Sequence, residues 1–422
     1  MGMYELLKAL YPLCRSVTGD GNRKTLEIIN RSIPLTIEEY ASGTSCFDWV
    51  IPDEWNIRDA YIKDESGKKI VDFKVNNLHV LNYSEPVEGI FSWDELANHL
   101  YTDPEQPDAI PYRTSYYKRR WGFCLKYEQF KKLKRTSFHV KIDSSLKKGS
   151  LTIGQAFLEG KTQKEILVSC YICHPSMAND SLSGVVVATQ LYKFLSKLKY
   201  RKYSYRFLFI PETIGAIVYL FHFGDKLKEN LHAGLVLTCL GDPGQFNYKR
   251  TRHGNHELDQ IACNVLMHSG KKFKVHNFWP LGSDERQFSS PGFKFPVGSL
   301  MRSIYGQFRE YHTSSDNLEF VTEEALNESF EMYKNILYGL EENKTYKREQ
   351  PFCEPMLSKY NLYNDLGASP ITEKNKEAIL WVLNFSDGEH SLVEIADRMN
   401  IDINILAPIA KKLEREKLIY AL

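Results

Sequence analysis

The sequence predicts an α/β protein: a mixed, mostly parallel sheet between helices, with a β-rich inserted domain and a C-terminal winged helix-turn-helix. Three observations predict it. From about residue 164, strand-like runs alternate with helical ones, "EILVSCYI", "SGVVVATQLYKFLSKL", "YRFLFIP", "GAIVYLFHFGDKL", "AGLVLTCLG", the order of a layered α/β sheet. Those strand runs are continuously apolar rather than alternating, the mark of strands buried on both faces. The stretches before and after them differ in character.

Taken in order, residues 3 to about 33 give an amphipathic helix, a polar loop "RSVTGDGNR" and a second helix, "KTLEIINRS". From about 36 to 160, short β-type runs ("AYIKD", "KKIVDFKV", "LHVLNYS", "HVKIDS") are divided by turn residues and by the Pro-rich "YTDPEQPDAIPY". After "KREQPFCEP", three short helices and a terminal apolar strand follow, with Ser391 and Asp402 as N-caps. The expected units are residues 1–35 with 160–350, the insertion 36–159, and the winged helix 351–422.

At 422 residues the chain is too long for one ordinary core. With 54 basic and 53 acidic residues, its net charge of +1 offers no global field to attract nucleic acid or a membrane. The N-terminus carries Glu5 and Lys8 and has no signal-peptide core, and no run reaches the roughly 18 apolar residues of a membrane span. A cytoplasmic protein with reduced, packed cysteines is expected, without a membrane partner and free to form a homo-oligomer. The "CxxC" of Cys170 and Cys173 lacks a second pair and begins inside a buried strand.

Open α/β sheets keep their chemistry at the carboxyl ends of their strands. Those ends carry His174 and Asp180 in "CHPSMANDSLSG", Glu212 in "FIPETIG", Thr238 and Asp242 in "LTCLGDPG", then "GSDERQF" with Asp284 and Glu285, and "REYHTSSDN" with His312. Each residue alone reads as a cap or a surface group. Their shared placement points to a site. Two histidines and a carboxylate suit Zn²⁺ with one position left to water, and a further carboxylate can carry the proton.

The motifs "CHPSMANDSLSG", "PETIG", "GSDERQF" and "EYHTSSDN", in this order, resemble those of the co-catalytic zinc aminopeptidases, whose relatives include glutaminyl cyclases. The whole chain resembles a bacterial aminopeptidase-like group with an inserted β domain and a C-terminal winged helix, often labelled as polysaccharide-biosynthesis proteins. The resemblance implies His174 and His312 as metal histidines, Asp180 as the metal-bridging carboxylate and Glu212 as general base. It also exposes departures: Ser176, Thr213 and Thr238 stand where the family has acids. Two of five usual ligands are missing, so one zinc on His174, Asp180 and His312 is expected, with Asp242 or Glu285 as substitute ligands and Asp284, Arg309, Tyr311 and Asp316 as further ligand or substrate-binding candidates.

The expected function is hydrolysis of a peptide or amide bond in a small substrate, an amidated or acylated sugar included. The rival is a ligand-sensing or DNA-binding regulator, with Lys411, Lys412, Arg415 and Lys417 of the last helix facing phosphates. "YRTSYYKRRWGF" (112–123) is either a packed hairpin or a wall of the cleft, and "RSVTGDG" (15–21) is a second candidate for its edge.

Overall fold

The continuous apolar runs lie at the centre of an eight-stranded mixed sheet. A computed structural model of the chain describes residues 1–133, 136–360, 362 and 370–422. Strand order is Thr36–Ala41, Ser150–Leu158, Ser204–Ile210, Glu165–Tyr171, Leu231–Leu237, Val297–Met301, Phe246–Lys249 and Phe273–His276. The four strands from Ser204–Ile210 to Val297–Met301 are parallel, and antiparallel pairs flank them on both sides.

Every residue of Glu165–Tyr171, Ser204–Ile210 and Val297–Met301 is buried, as strands covered on both faces must be. Alternate residues enter opposite cores. Ile166, Val168 and Cys170 pack in the core shared with helices Met3–Leu10, Gly184–Ser196, Glu257–His268 and Glu323–Glu342. Leu167, Leu208 and Ile210 pack in the other, with helix Ile214–Asn230. The approach of Gly184–Ser196 to the sheet demands its first residue: a Cβ on Gly184 would sit 2.1 Å from the Leu237 carbonyl oxygen.

The β-rich insertion centres on an antiparallel sheet ordered Lys69–Asp72, Glu54–Lys63, Ser137–Lys147, Val87–Ser92. At the two ends of the 36–159 span, Thr36–Ala41 pairs with Ser150–Leu158 and both strands belong to the large sheet.

The C-terminal segment folds as helices Pro370–Phe385, Leu392–Met399 and Ile403–Arg415, with a sheet whose middle strand, Thr345–Arg348, lies before residue 351. Ser391 and Asp402 cap the second and third helices. Among the described residues no helix is long and apolar enough to cross a membrane. All eight cysteines are free.

Candidate active site

Two loops at the sheet edge converge on one group. The loop after Glu165–Tyr171 brings His174 and Asp180, and the loop before helix Glu323–Glu342 brings His312; one ligand atom from each lies within 4.8 Å of the others. His312 Nε2 and Asp180 Oδ2 are buried and meet at 3.0 Å, and neither atom makes a further hydrogen bond. With His174 they bring three donor atoms to one point, a grouping that suits a metal ion. Burial lowers the His174 pKa to about 4, so its ring is neutral at pH 7, the form that binds a metal. Burial would raise Asp180, but His174 and His312 beside it hold its carboxyl below the usual range.

The loop around Asp180 is heavily anchored. Its other oxygen, Oδ1, accepts from the Tyr171 hydroxyl at 2.6 Å and from Thr238 Oγ1 at 3.2 Å. Asp316 accepts the backbone N–H groups of Asn179 and Asp180 at 2.6 and 2.8 Å; burial still pushes its carboxyl up, to about 8. Asn179 ties this loop to the next strand end, accepting from Gly241 N–H at 2.8 Å and donating to Asp242 at 2.9 Å. Ser176, Thr213, Cys239 and His312 all have positive φ, a clustering of disfavoured backbone that functional loops carry.

Glu212 stands at the neighbouring strand end with Oε2 3.8 Å from His174 Nε2. Burial, then the charges of Asp284 and Asp180, raise its pKa well above the carboxylate range. Asp284 accepts the Thr213 N–H at 2.7 Å, and burial pushes its carboxyl to about 7. Cys173 forms a second group with His174 and Glu212, but burial raises its thiol pKa and keeps it from the thiolate form that binds metals.

The expected substitute ligands lie elsewhere. Among the described residues, neither potential metal group includes Asp242, Asp284 or Glu285. Asp242 is occupied by Asn179, the Gly244 N–H and the Ser303 hydroxyl. Glu285 is buried in an ion pair with Lys249. Arg309 reaches exposed Asp108 at 3.5 Å and does not line the cleft. Tyr311 stacks on the His312 ring, centroids 3.9 Å apart.

Above the group opens a cleft of about 390 Å³, lined by Cys173, His174, Glu212, Thr213, Arg286 and His312 on the sheet side and by Trp49, Tyr112, Tyr116 and Tyr117 from the insertion. Part of "YRTSYYKRRWGF" is therefore a wall of the cleft. Tyr112 lies edge-on to both histidines, at 5.5 and 5.1 Å between centroids, and its N–H donates to the His312 carbonyl at 2.7 Å. Val17 lines the opposite edge, and fully buried Arg15 donates from Nε to the His174 carbonyl at 2.8 Å. Tyr112 opens the stretch expected as a cleft wall, whereas Arg286 is a cleft residue that sequence reasoning did not single out.

Comparison with known proteins agrees with this architecture. Residues 4–343 match a family described as a domain of unknown function, DUF4910, and residues 344–421 match a winged helix-turn-helix. A Clostridium acetobutylicum protein named for polysaccharide biosynthesis, with an aminopeptidase-like domain, is 50% identical over 417 residues, 99% of this chain and 95% of its own. A crystal structure from the same organism, described as a peptidase, superposes with a TM-score of 0.94 at 48% identity, covering 100% of this chain and 96% of that one. A Bacillus subtilis zinc aminopeptidase matches 80% of this chain and 94% of its own, with a TM-score of 0.57 at 13% identity, and so shares the fold. The chain belongs to the DUF4910 family, an aminopeptidase-like α/β fold followed by a winged helix-turn-helix.

Proposed function

We propose that the protein is a zinc-dependent hydrolase of a peptide or other amide bond, with His174, Asp180 and His312 holding one ion and Glu212 as general base. The observation that carries this reading is the grouping of His174, Asp180 and His312, whose ligand atoms lie within 4.8 Å of one another, with the His174 ring neutral. Two imidazoles and a carboxylate are the ligand number of catalytic rather than structural zinc sites. Zinc held there would supply Lewis acidity and would bring the pKa of water toward about 7. Glu212 takes the proton of the attacking water and returns it to the leaving nitrogen. The aminopeptidase-like fold supports the hydrolase class, and the name of the Clostridium relative keeps an amidated or acylated sugar among the substrates.

The single-ion reading is supported by Asp180 Oδ1: a bridge through both carboxylate oxygens would need this one, which already accepts from two hydroxyls. Metal analysis of the purified chain should give one zinc, lost in His174→Ala and in His312→Ala. Two full ions at about 3.5–4 Å, the spacing of two-metal sites, would overturn the single-ion reading, and zinc-free protein would overturn the whole.

The regulator reading meets a steric obstacle. A winged helix reads DNA with the N-terminal residues of its recognition helix, here Ile403–Arg415. That end is docked on the catalytic unit: the Ile403 N–H donates to Asn264 at 2.8 Å and Asn404 donates to the Asn335 carbonyl at 3.2 Å. Lys411, one of the basic residues proposed for phosphate contact, pairs with Glu342 at 2.5 Å. We therefore assign this unit a bracing role. The intact chain should show no sequence preference in a DNA selection, and enrichment of a defined site with steep salt dependence would reinstate the regulator.

A further inference from the structure

One cation lines the cleft. Arg286 is the only lysine or arginine among the lining residues. Its Nη2 donates to Thr213 Oγ1 at 2.9 Å, its Nε is buried without a partner, and it forms no ion pair among the described residues. Glu212 and Asp284 feel its charge but do not bond it. Lining the cleft without an ion pair, the Arg286 guanidinium is free to give a charge-assisted hydrogen bond to an oxyanion.

The position sharpens the point. Thr213 stands where the resemblance places the second acid of a Glu-Glu pair, so a hydroxyl carrying a guanidinium replaces a carboxylate. The local charge is reversed. A free ammonium on the substrate would be repelled there, and a carboxylate would be held. A dianion is disfavoured because Glu212 shares the wall and Asp284 lies buried behind it, bonded to the Thr213 N–H. At the cleft mouth Trp49 and Tyr117, 38% and 50% exposed, meet edge-to-face at 5.7 Å and offer a surface for a ring.

We infer that Arg286 is a substrate-binding residue and that the amide substrate carries a carboxylate, rather than a free amino terminus, on the side that faces Thr213. This rests on the reading of the cleft as a hydrolase's substrate site.

The test is binding of three small amides to the intact protein by calorimetry: N-benzoylglycine, its neutral amide N-benzoylglycinamide, and cationic glycine anilide. N-benzoylglycine should bind about tenfold or more tighter than either of the others, the scale of a charge-assisted hydrogen bond. Arg286→Gln should erase that advantage while leaving the neutral amide unchanged, and Arg286→Lys should restore only part of it, since an ammonium lacks the planar fork. Glycine anilide binding as tightly as N-benzoylglycine, an unchanged N-benzoylglycine affinity in Arg286→Gln, parallel loss of the neutral amide in both variants, or no binding of N-benzoylglycine would each overturn the inference. None of these readouts requires turnover, so failure of the inference is distinct from an inactive or zinc-free protein.

Discussion

Glu212→Gln should keep its zinc and lose turnover by about 10²–10⁴-fold, the range for removal of a general base. The substitution preserves size and hydrogen bonding and deletes only the ability to accept a proton. Glu212 is placed for that role: its carboxylate reaches to 3.8 Å of His174, and its own N–H is fixed on the Cys173 sulfur at 3.2 Å. It belongs to a different potential metal group from the one joining His174, Asp180 and His312. Asp180→Asn is the contrasting variant, since it weakens the only anionic ligand of that group and should lose the metal itself. Metal content comes first, then activity on amide substrates. Zinc lost from Glu212→Gln as fully as from Asp180→Asn would make Glu212 a ligand and assign the base to the wrong carboxylate.

The grouping of His174, Asp180 and His312 was legible because these residues sit where local signals are strong. His174 and Asp180 follow an unbroken apolar strand and precede a helix, so chain order alone puts them at a sheet edge. His312 came from its motif. Arg286 was hidden by its neighbours. In "GSDERQF" the acids drew attention, but successive residues of a helical turn point about 100° apart, so Glu285 faces the buried Lys249 while Arg286 faces the cleft. Asp242 misled for a similar reason: four residues past Thr238, it turns away to bond Asn179 and Ser303. Tyr112 lies in the stretch read as a possible cleft wall, but nothing local tells that it sits against the two histidines. Its place is set by pairing of segments about 200 residues apart, where Pro111 bridges Thr313 and Ser314 N–H donates to the Ile110 carbonyl at 2.9 Å.

The strands at the ends of the 36–159 span illustrate a limit of periodicity. Thr36–Ala41 is the outermost strand of the large sheet, with only partial burial at alternate positions. An edge strand with one covered face alternates like any strand of a small antiparallel sheet. The pattern that distinguished the central strands was therefore absent from the flank that belongs with them.

Lys249→Met should destabilise the fold by about 3–5 kcal/mol, the cost of leaving a buried charge unpaired. Lys249 and Glu285 are both 0% exposed and form an ion pair, with Lys249 also donating to the Leu281 carbonyl at 3.1 Å and to the Tyr305 hydroxyl at 3.0 Å. Its ammonium lies 4.3 Å from the Trp279 ring centroid, a cation–π contact that a thioether cannot reproduce. Burial lowers the Lys249 pKa, as expected of an ammonium removed from water, and the Glu285 contact opposes that shift. The diagnostic variant is the double substitution Lys249→Met with Glu285→Gln. Replacing both partners removes the orphaned charge, so it should recover much of the loss even though two native contacts are gone. The measurement is denaturant unfolding followed alongside zinc content. Because Glu285 lies between Asp284 and Arg286, the single variant should also loosen the Thr213 wall of the cleft, and the double variant should restore N-benzoylglycine binding together with stability. A single variant within about 0.5 kcal/mol of the parent, the range of ordinary surface substitutions, would mean that the pair does not brace the site.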